Sequence, residues 1–263
     1  MKIIVPVKIV AALDEEFELT DDSHEVDPDF IEWDLNEWDT FALESALQLR
    51  EEFEEGEVIV VTVGDDESDE GLLGCLAKGA DRAVRVWDEA LEGADVLAVA
   101  RTLAAVVETE APDLILCGAQ SSDSVTGSTG PALAGFLGLP CVAVVTQLQW
   151  DAANRTATAH RELEGGLVEV LRVHTPAVLT IQTGINEPRY ATLRAIKQAR
   201  DKPLQTVALG DVGLSSAEVQ SVVGSQQVAL TTPYRGSGAE ILGGSPAEAA
   251  ERIVEIVQER MSG

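Results

Sequence analysis

A chain of 263 residues is long enough for one large α/β domain, or for one domain with an arm, and 45% hydrophobic content supports a proper core and argues against global disorder. Acidic residues outnumber basic ones 46 to 18, a formal net charge of −28, so the surface repels phosphate backbones and anionic lipids. Nucleic-acid binding and direct membrane insertion are therefore not expected, and no window approaches the roughly 18 uninterrupted apolar residues of a membrane span. Such acidity suits a salt-rich cytoplasm, where molar salt shortens the Debye length to roughly 3 Å and removes most self-repulsion. A halophilic, cytoplasmic protein is expected, and it should lose stability when salt is dialysed away; an acidic patch with its own function is the alternative. Met1 to Val7 lacks the features of a signal peptide. Cys75, Cys117 and Cys141 have no CxxC spacing, so buried reduced thiols are expected.

Ile3 to Val7 reads as a buried strand. After an acidic loop, Phe41, Ala42, Ala46, Leu49 and Phe53 recur at helical period over about 38–54. Val58 to Val63 is a continuous apolar strand closed by Gly64; a helix follows over Asp65 to Lys78, ending on Gly79. Ala83 to Trp87 predicts a third strand, and about 93–110 a long Ala/Val/Leu-rich helix. Leu114 to Cys117 is another strand broken by Gly118, Pro131 to Gly138 a small helix, and Cys141 to Val145 a further strand. Apolar strands alternating with helices define a mostly parallel, Rossmann-like sheet with helices on both faces, of the adenine-nucleotide-binding type.

After Trp150 the pattern alternates. Thr156 to Arg161 and Leu167 to Val173 flank Glu164-Gly165-Gly166, which predicts a β-hairpin with Leu167, Glu169, Leu171 and Val173 on one face. Pro176 to Ile181 is one more apolar strand, and 182–203 a long loop leading into a short basic helix. Residues 210–245 have little periodicity. A final amphipathic helix is expected from about Pro246 to Met261, with Ala250, Ile253, Ile256 and Val257 on one stripe, either folded back on the sheet or reaching onto a partner. The expected organisation is a nucleotide-binding α/β domain over 1–205, including the hairpin region 150–181 and a partner-docking loop at 182–198. A C-terminal arm then covers 206–263.

No catalytic constellation is present: there is no GxSxG elbow, Walker lysine loop or HExxH, and His24, His160 and His174 are scattered. The chain therefore reads as a non-enzyme without metal. The informative segment is Gly118-Ala119-Gln120-Ser121-Ser122-Asp123-Ser124-Val125-Thr126-Gly127-Ser128-Thr129, followed by Gly130-Pro131. It leaves a strand and opens a helix at the C-terminal edge of the sheet, where open α/β folds bind ligands. Small residues let successive N–H groups and the positive helix end meet a phosphate, and the hydroxyls of Ser121, Ser122, Ser124, Thr126, Ser128 and Thr129 add donors. The loop has no lysine, which favours a held phosphate over phosphoryl transfer; the plain alternative is an ordinary helix-capping connection.

The run Ala159-His160-Arg161-Glu162-Leu163-Glu164-Gly165-Gly166-Leu167-Val168-Glu169-Val170-Leu171, followed by Pro176-Ala177-Val178-Leu179-Thr180, resembles the signature of electron transfer flavoprotein beta subunits. Asn186-Glu187-Pro188-Arg189-Tyr190-Ala191-Thr192-Leu193 follows at that family's spacing. Lys8, Asn36 to Asp39 before Ala42 to Ala46, and Gly79 to Ala83 are also similar, and the likeness is collinear over about 1–205. It implies a heterodimer with an alpha subunit that carries the redox-active FAD, while the beta chain helps enclose the flavin and holds AMP. By resemblance the AMP site comprises Pro6, Asn36, Glu37, Trp38, Asp39, Val63 and Gly118 to Thr129.

The resemblance further implies that flavin dehydrogenases, such as the acyl-CoA dehydrogenases of fatty acid beta-oxidation, dock through the 182–198 loop, with electrons passing to a quinone oxidoreductase. Leu193 matches the apolar anchor, and Arg189, Arg194, Lys197 and Arg200 form a basic island around it, beside Tyr190. Ala11-Ala12, Glu37 and Arg194 stand where the family often has Pro-Asp, proline and proline. Asp123, Thr126 and Gly130-Pro131 resemble the electron-bifurcating branch, in which beta binds a second FAD and oxidises NADH. That reading, and a stand-alone adenine-nucleotide-binding regulatory domain, remain as alternatives.

Overall fold

The computed structural model describes residues 1–13, 17–20, 26–27, 30–232, 239 and 241–261. In chain order the elements are β1 (Lys2–Pro6), β2 (Ile9–Leu13), β3 (Ile31–Leu35), α1 (Glu37–Glu52), β4 (Glu57–Val63), α2 (Ser68–Lys78), β5 (Arg82–Val86) and α3 (Val96–Glu110). There follow β6 (Leu114–Gly118), α4 (Thr129–Leu137), β7 (Cys141–Asp151), β8 (Thr156–Leu163), β9 (Leu167–His174), β10 (Ala177–Ile181), α5 (Leu193–Ala199), β11 (Leu204–Val207), α6 (Ser216–Val222) and α7 (Pro246–Met261).

Nine strands form one sheet in the order β11-β5-β4-β1-β6-β10-β7-β8-β9. All neighbours from β11 to β7 pair in parallel, whereas β8 is antiparallel to both β7 and β9. The strands are apolar throughout because alternate residues enter two cores. Ile3, Val5, Val58, Val60, Leu114 and Leu116 pack under α1 and α2. Ile4, Ile59, Val61, Ile115 and Cys117 pack under α3 and α4. The fold is thus the mostly parallel α/β architecture expected, with its hairpin and its terminal helix. No helix of the described residues is long and apolar enough to cross a membrane.

The structure differs from the sequence reading in several places. The acidic loop after β1 contains an antiparallel β2–β3 pair, held by backbone pairing from Ile9↔Leu35 to Leu13↔Ile31. The side chains of Glu32, Trp33 and Asp34 are exposed, so no apolar run marks β3. β7 continues to Asp151 instead of stopping at Val145, because its second half leaves the covered part of the sheet and pairs with β8. The arm was expected from residue 206, which takes in the end of β11 and all of α6, yet Val207, Leu209, Leu214 and Val219 are buried in the main core. The body therefore extends to about Val222, where Asp95 caps α3 through Leu97 N and Ala98 N and also accepts from Gly224 N and Ser225 N. These bonds outweigh the cost of burial and hold the Asp95 carboxyl below its ordinary pKa.

Among the described residues beyond Ser225, none belongs to either core. No residue of α7 is buried, and Ile253, Val254, Val257 and Met261 lie exposed along it. Part of the 210–245 stretch, and His24, fall outside the described residues. His160 and His174 both lie on the hairpin, but they face Val170 and Thr156 respectively and so stand several rungs apart. Among the described residues no cluster of three or more His, Cys, Asp or Glu is arranged for a metal ion. Cys75 and Cys117 are buried as expected, whereas Cys141 is exposed, because β7 begins at the rim of the sheet.

Candidate functional site: a cradle at the switch point of the sheet

β1 lies between β4 and β6. The chain builds outward from β1 through β4 to β5 on one side, then crosses to β6 on the other. The β1/β6 boundary is therefore a topological switch point, where an open α/β sheet leaves a crevice beyond its strand ends. The residues assigned by resemblance converge there. Pro6 ends β1, Val63 ends β4, Gly118 ends β6, and Asn36 to Asp39 open α1.

Buried polar groups tie these elements together. Asn36, 1% exposed, donates from Nδ2 to Gln120 O at 2.9 Å and accepts at Oδ1 from Ser122 N at 3.2 Å. Asp39, 5% exposed, accepts from Lys8 N at 2.8 Å and from Gly118 N at 2.9 Å. Burial pushes its carboxyl up to about 7 even though these N–H bonds favour the anion. A Cβ on Gly118 would lie 2.3 Å from Asp39 Oδ1 and 2.7 Å from Trp38 Cβ, so only glycine permits this approach. Trp38 in turn donates from Nε1 to Gln182 Oε1 at 3.0 Å, linking α1 to the segment after β10. Glu37 sits exposed in the first turn of α1.

The loop is shaped by its own side chains. Asp123 accepts at Oδ1 from Ser121 Oγ and Ser124 N, each at 2.6 Å, and at Oδ2 from Lys8 Nζ at 2.5 Å. Burial alone would raise the Asp123 pKa, but the bonds from Lys8 and Ser121 prevail and lower it. The loop itself contains no lysine, as the sequence shows; the fold delivers Lys8 to it from the end of β1. Ser121 and Ser124 hydroxyls engage each other, and Ser128 Oγ donates to Thr126 O. Among the described residues this leaves the hydroxyls of Ser122, Thr126 and Thr129, and the N–H groups of Thr126, Gly127 and Ser128, without a partner. Val125 adopts φ 52°, a left-handed conformation that a β-branched residue rarely takes. Ala119 N donates to Ile181 O, so the root of the loop is sewn to β10.

The second sequence-predicted region lies across α1 from the cradle. Asn186 donates to Phe41 O at 3.0 Å and Ser45 Oγ at 2.8 Å. Arg189 grips Glu44 through Nε at 2.8 Å and Nη2 at 3.0 Å, and reaches Glu51 through Nη1 at 2.5 Å. These pairs raise the Arg189 pKa; on Glu44, the bonds from Arg189 overcome burial and lower it. Arg189 is thus a clamp whose charge is satisfied within the chain. Tyr190 and Leu193, in contrast, project at 96% and 82% exposure, and Arg194, Lys197 and Arg200 are exposed with no ion-pair partner among the described residues. Glu44, Glu51 and Lys8 were not read as site residues, since pairing over such separations leaves no local signal.

These features define an open, mostly parallel α/β protein with a Ser/Gly-rich loop at its switch point and an anchored, apolar-tipped segment across α1 from it. The profile of the electron transfer flavoprotein domain matches residues 28–212. The chain is 48% identical over 261 residues to "Electron transfer flavoprotein subunit beta" of Methylophilus methylotrophus, covering 98% of both chains. It is 33% identical to the human protein of that name, covering 92% of both. It is 35% identical to "Caffeyl-CoA reductase-Etf complex subunit CarD" of Acetobacterium woodii, covering 86% of both. The chain belongs to the electron transfer flavoprotein beta-subunit family, and its role is in electron transfer.

Proposed function

We propose that this chain is the non-catalytic beta subunit of a heterodimeric electron transfer flavoprotein, holding AMP in the switch-point cradle and docking flavin dehydrogenases through Leu193. The observation that carries the reading is the convergence of three strand ends on a Ser/Gly loop with unpartnered N–H groups. The donor set fits a nucleotide phosphate: Thr126, Gly127 and Ser128 N–H, just before α4, have no partner among the described residues, and the one carboxylate of the loop, Asp123, is neutralised by Lys8. Strain at Val125 belongs with a ligand-binding turn. Pro6, Val63 and Trp38 supply the apolar sides of the crevice.

FAD, held mainly by the alpha subunit, supplies the redox chemistry when bound. This chain contributes enclosure, a fixed docking surface and exclusion of water. Electrons then pass from dehydrogenases, such as the acyl-CoA dehydrogenases of fatty acid beta-oxidation, toward a quinone oxidoreductase, within a salt-rich cytoplasm. The segment after Ser225, with the uncovered stripe of α7, is the arm that reaches onto the alpha subunit.

The decisive experiment is the nucleotide inventory of the co-purified heterodimer. One FAD and one AMP are expected; two FAD and no AMP would overturn the AMP assignment. That second outcome is the bifurcating reading, with a second FAD in this chain oxidising NADH. Asp123 and Thr126 in the loop favour it, whereas Ala11-Ala12 in place of the family's Pro-Asp speaks against it.

A further inference from the structure

We propose that Asp39 is the positioning residue of the cradle, a latch that joins the ends of β1 and β6 and holds the 118–129 loop in its nucleotide-accepting shape only while its carboxylate is ionised. The proposal rests on the nucleotide reading above and assigns that site a proton-linked control.

Asp39 does not act by touching the ligand. Its two oxygens are each taken by a backbone donor, Lys8 N at 2.8 Å and Gly118 N at 2.9 Å, and almost none of the residue is accessible. It acts through what it holds. Gly118 is the root of the loop, and residue 8 is the base of the side chain that grips Asp123 in the middle of the loop. One carboxylate therefore fixes the loop at two points, directly at its start and through Lys8 at its centre. Gly118 lets the carboxylate come this close, and Asn36 beside it adds the bonds to Gln120 and Ser122.

The arrangement depends on charge. An ionised carboxylate accepts at both oxygens, whereas the neutral acid has one carbonyl acceptor and a hydroxyl that must itself donate. On protonation either Lys8 N–H or Gly118 N–H loses its full acceptor, and a strand end is released. Among the described residues, Lys8 is the cation that faces Asp39. From the end of β1 comes Lys8, itself paired to Asp123 of the loop; from β6 and α2 come the Cys117 and Cys75 thiols. Burial pushes both thiols up, Cys75 to about 12, so they stay neutral. Asn36 on its own helix is uncharged. With burial placing Asp39 at about 7, the latch changes state within the physiological range.

The two consequences of this titration have opposite signs. The folded pKa lies above the unfolded value of 3.8, so the contribution of Asp39 to stability is full below that value and is lost as pH rises through about 7. Nucleotide retention runs the other way and strengthens as the latch ionises. A side chain with only a structural role would move stability alone.

The test uses the full chain with its alpha partner, freed of resident nucleotide. AMP affinity is measured by calorimetry from about pH 6 to about pH 8, together with hydrogen-exchange protection of the peptides containing Lys8 and Gly118; one linked proton predicts a gain of up to about tenfold per pH unit below the transition. Asp39→Asn has the shape of the neutral acid. It should bind weakly at every pH, keeping only the shallow slope that the phosphate itself contributes near pH ~6, and its protection should be low and flat. Wild-type affinity in Asp39→Asn, or an unchanged slope, overturns the proposal. If the variant fails to fold, the wild type decides alone: protection at Gly118 and Lys8 that does not rise with pH overturns the latch. If AMP binds neither protein while wild-type protection still rises with pH, the nucleotide reading fails and the latch stands.

Discussion

The cradle and the docking segment are both attached to α1, yet they are built in opposite ways. At the N-terminal end of α1, Asn36 and Asp39 are buried and point inward, and the loop they hold presents backbone N–H groups. From the middle to the C-terminal end of α1, Glu44, Ser45 and Glu51 hold Asn186 and Arg189, and the segment they anchor presents an apolar side chain, Leu193, with cations behind it that have no ion-pair partner among the described residues. The proposed nucleotide site needs fixed dipoles in a defined shape, so the base of its loop is bonded internally while the N–H groups of Thr126, Gly127 and Ser128 are left for a ligand. A protein partner demands accessible apolar area on a base that does not wander, so only the base is bonded.

Separating the two halves experimentally should reveal a descending series of effects. Arg189→Ala leaves Glu44 buried without its partner, and the loss should be about 2–4 kcal/mol of stability, since removing one member of a buried pair costs more than the pair is worth. A thermal melt measures it. Because the Glu44 pKa is lowered in the folded state, the difference from wild type should be fully present above the ordinary value of 4.5 and be lost as pH falls from there through the lowered folded value. Docking should weaken with it, while AMP content stays near normal.

Gly118→Ala should damage the other half. Its Cβ collides with Asp39 and Trp38, and an overpacked site of this kind costs about 1–3 kcal/mol. AMP should be lost on purification with dehydrogenase docking retained, which nucleotide extraction and reduction kinetics would show.

Leu193→Ala removes apolar area worth roughly 2 kcal/mol to a partner pocket, about 30-fold in affinity. Reduction by the dehydrogenase should slow accordingly at unchanged flavin and AMP content; unaltered kinetics would break the assignment. The smallest effect is expected for Lys197→Glu, which should lower the association rate a few-fold at low salt and hardly at all at high salt.

Much of the fold was legible because buried parallel strands have no polar face. Val58 to Val63 and Leu114 to Cys117 declare themselves by composition, and Gly79 and Gly118 mark the ends of a helix and a strand. β3 was not legible, since Ile31–Leu35 is paired through its backbone with its side chains in water. β11 and α6 were hidden for a related reason: Val207 and Val219 are single buried contacts in otherwise exposed segments. The end of β7 was misplaced because a strand that passes from a covered to an open part of the sheet changes its pattern midway.

The candidate site divides in the same manner. The Ser/Gly loop and the Asn36 to Asp39 segment stand out in the sequence, as does Leu193, because small residues, a helix start and an apolar residue among cations are local features. Their relation is not local. Only the strand order places β1 beside β6, and with that Asp39 between Lys8 and Gly118, and Lys8 against Asp123.

The sequence by itself determined the alternation of strands and helices, the family and the loop that offers N–H groups, since each depends on near neighbours along the chain. The tertiary structure alone decided that Arg189 is a clamp instead of a free cation, that Cys141 is exposed, and that one buried carboxylate, Asp39, bonds both Lys8 N and Gly118 N. Charges and hydrogen bonds acquire their meaning from burial and from partners as much as 145 residues away, as in Arg189 and Glu44.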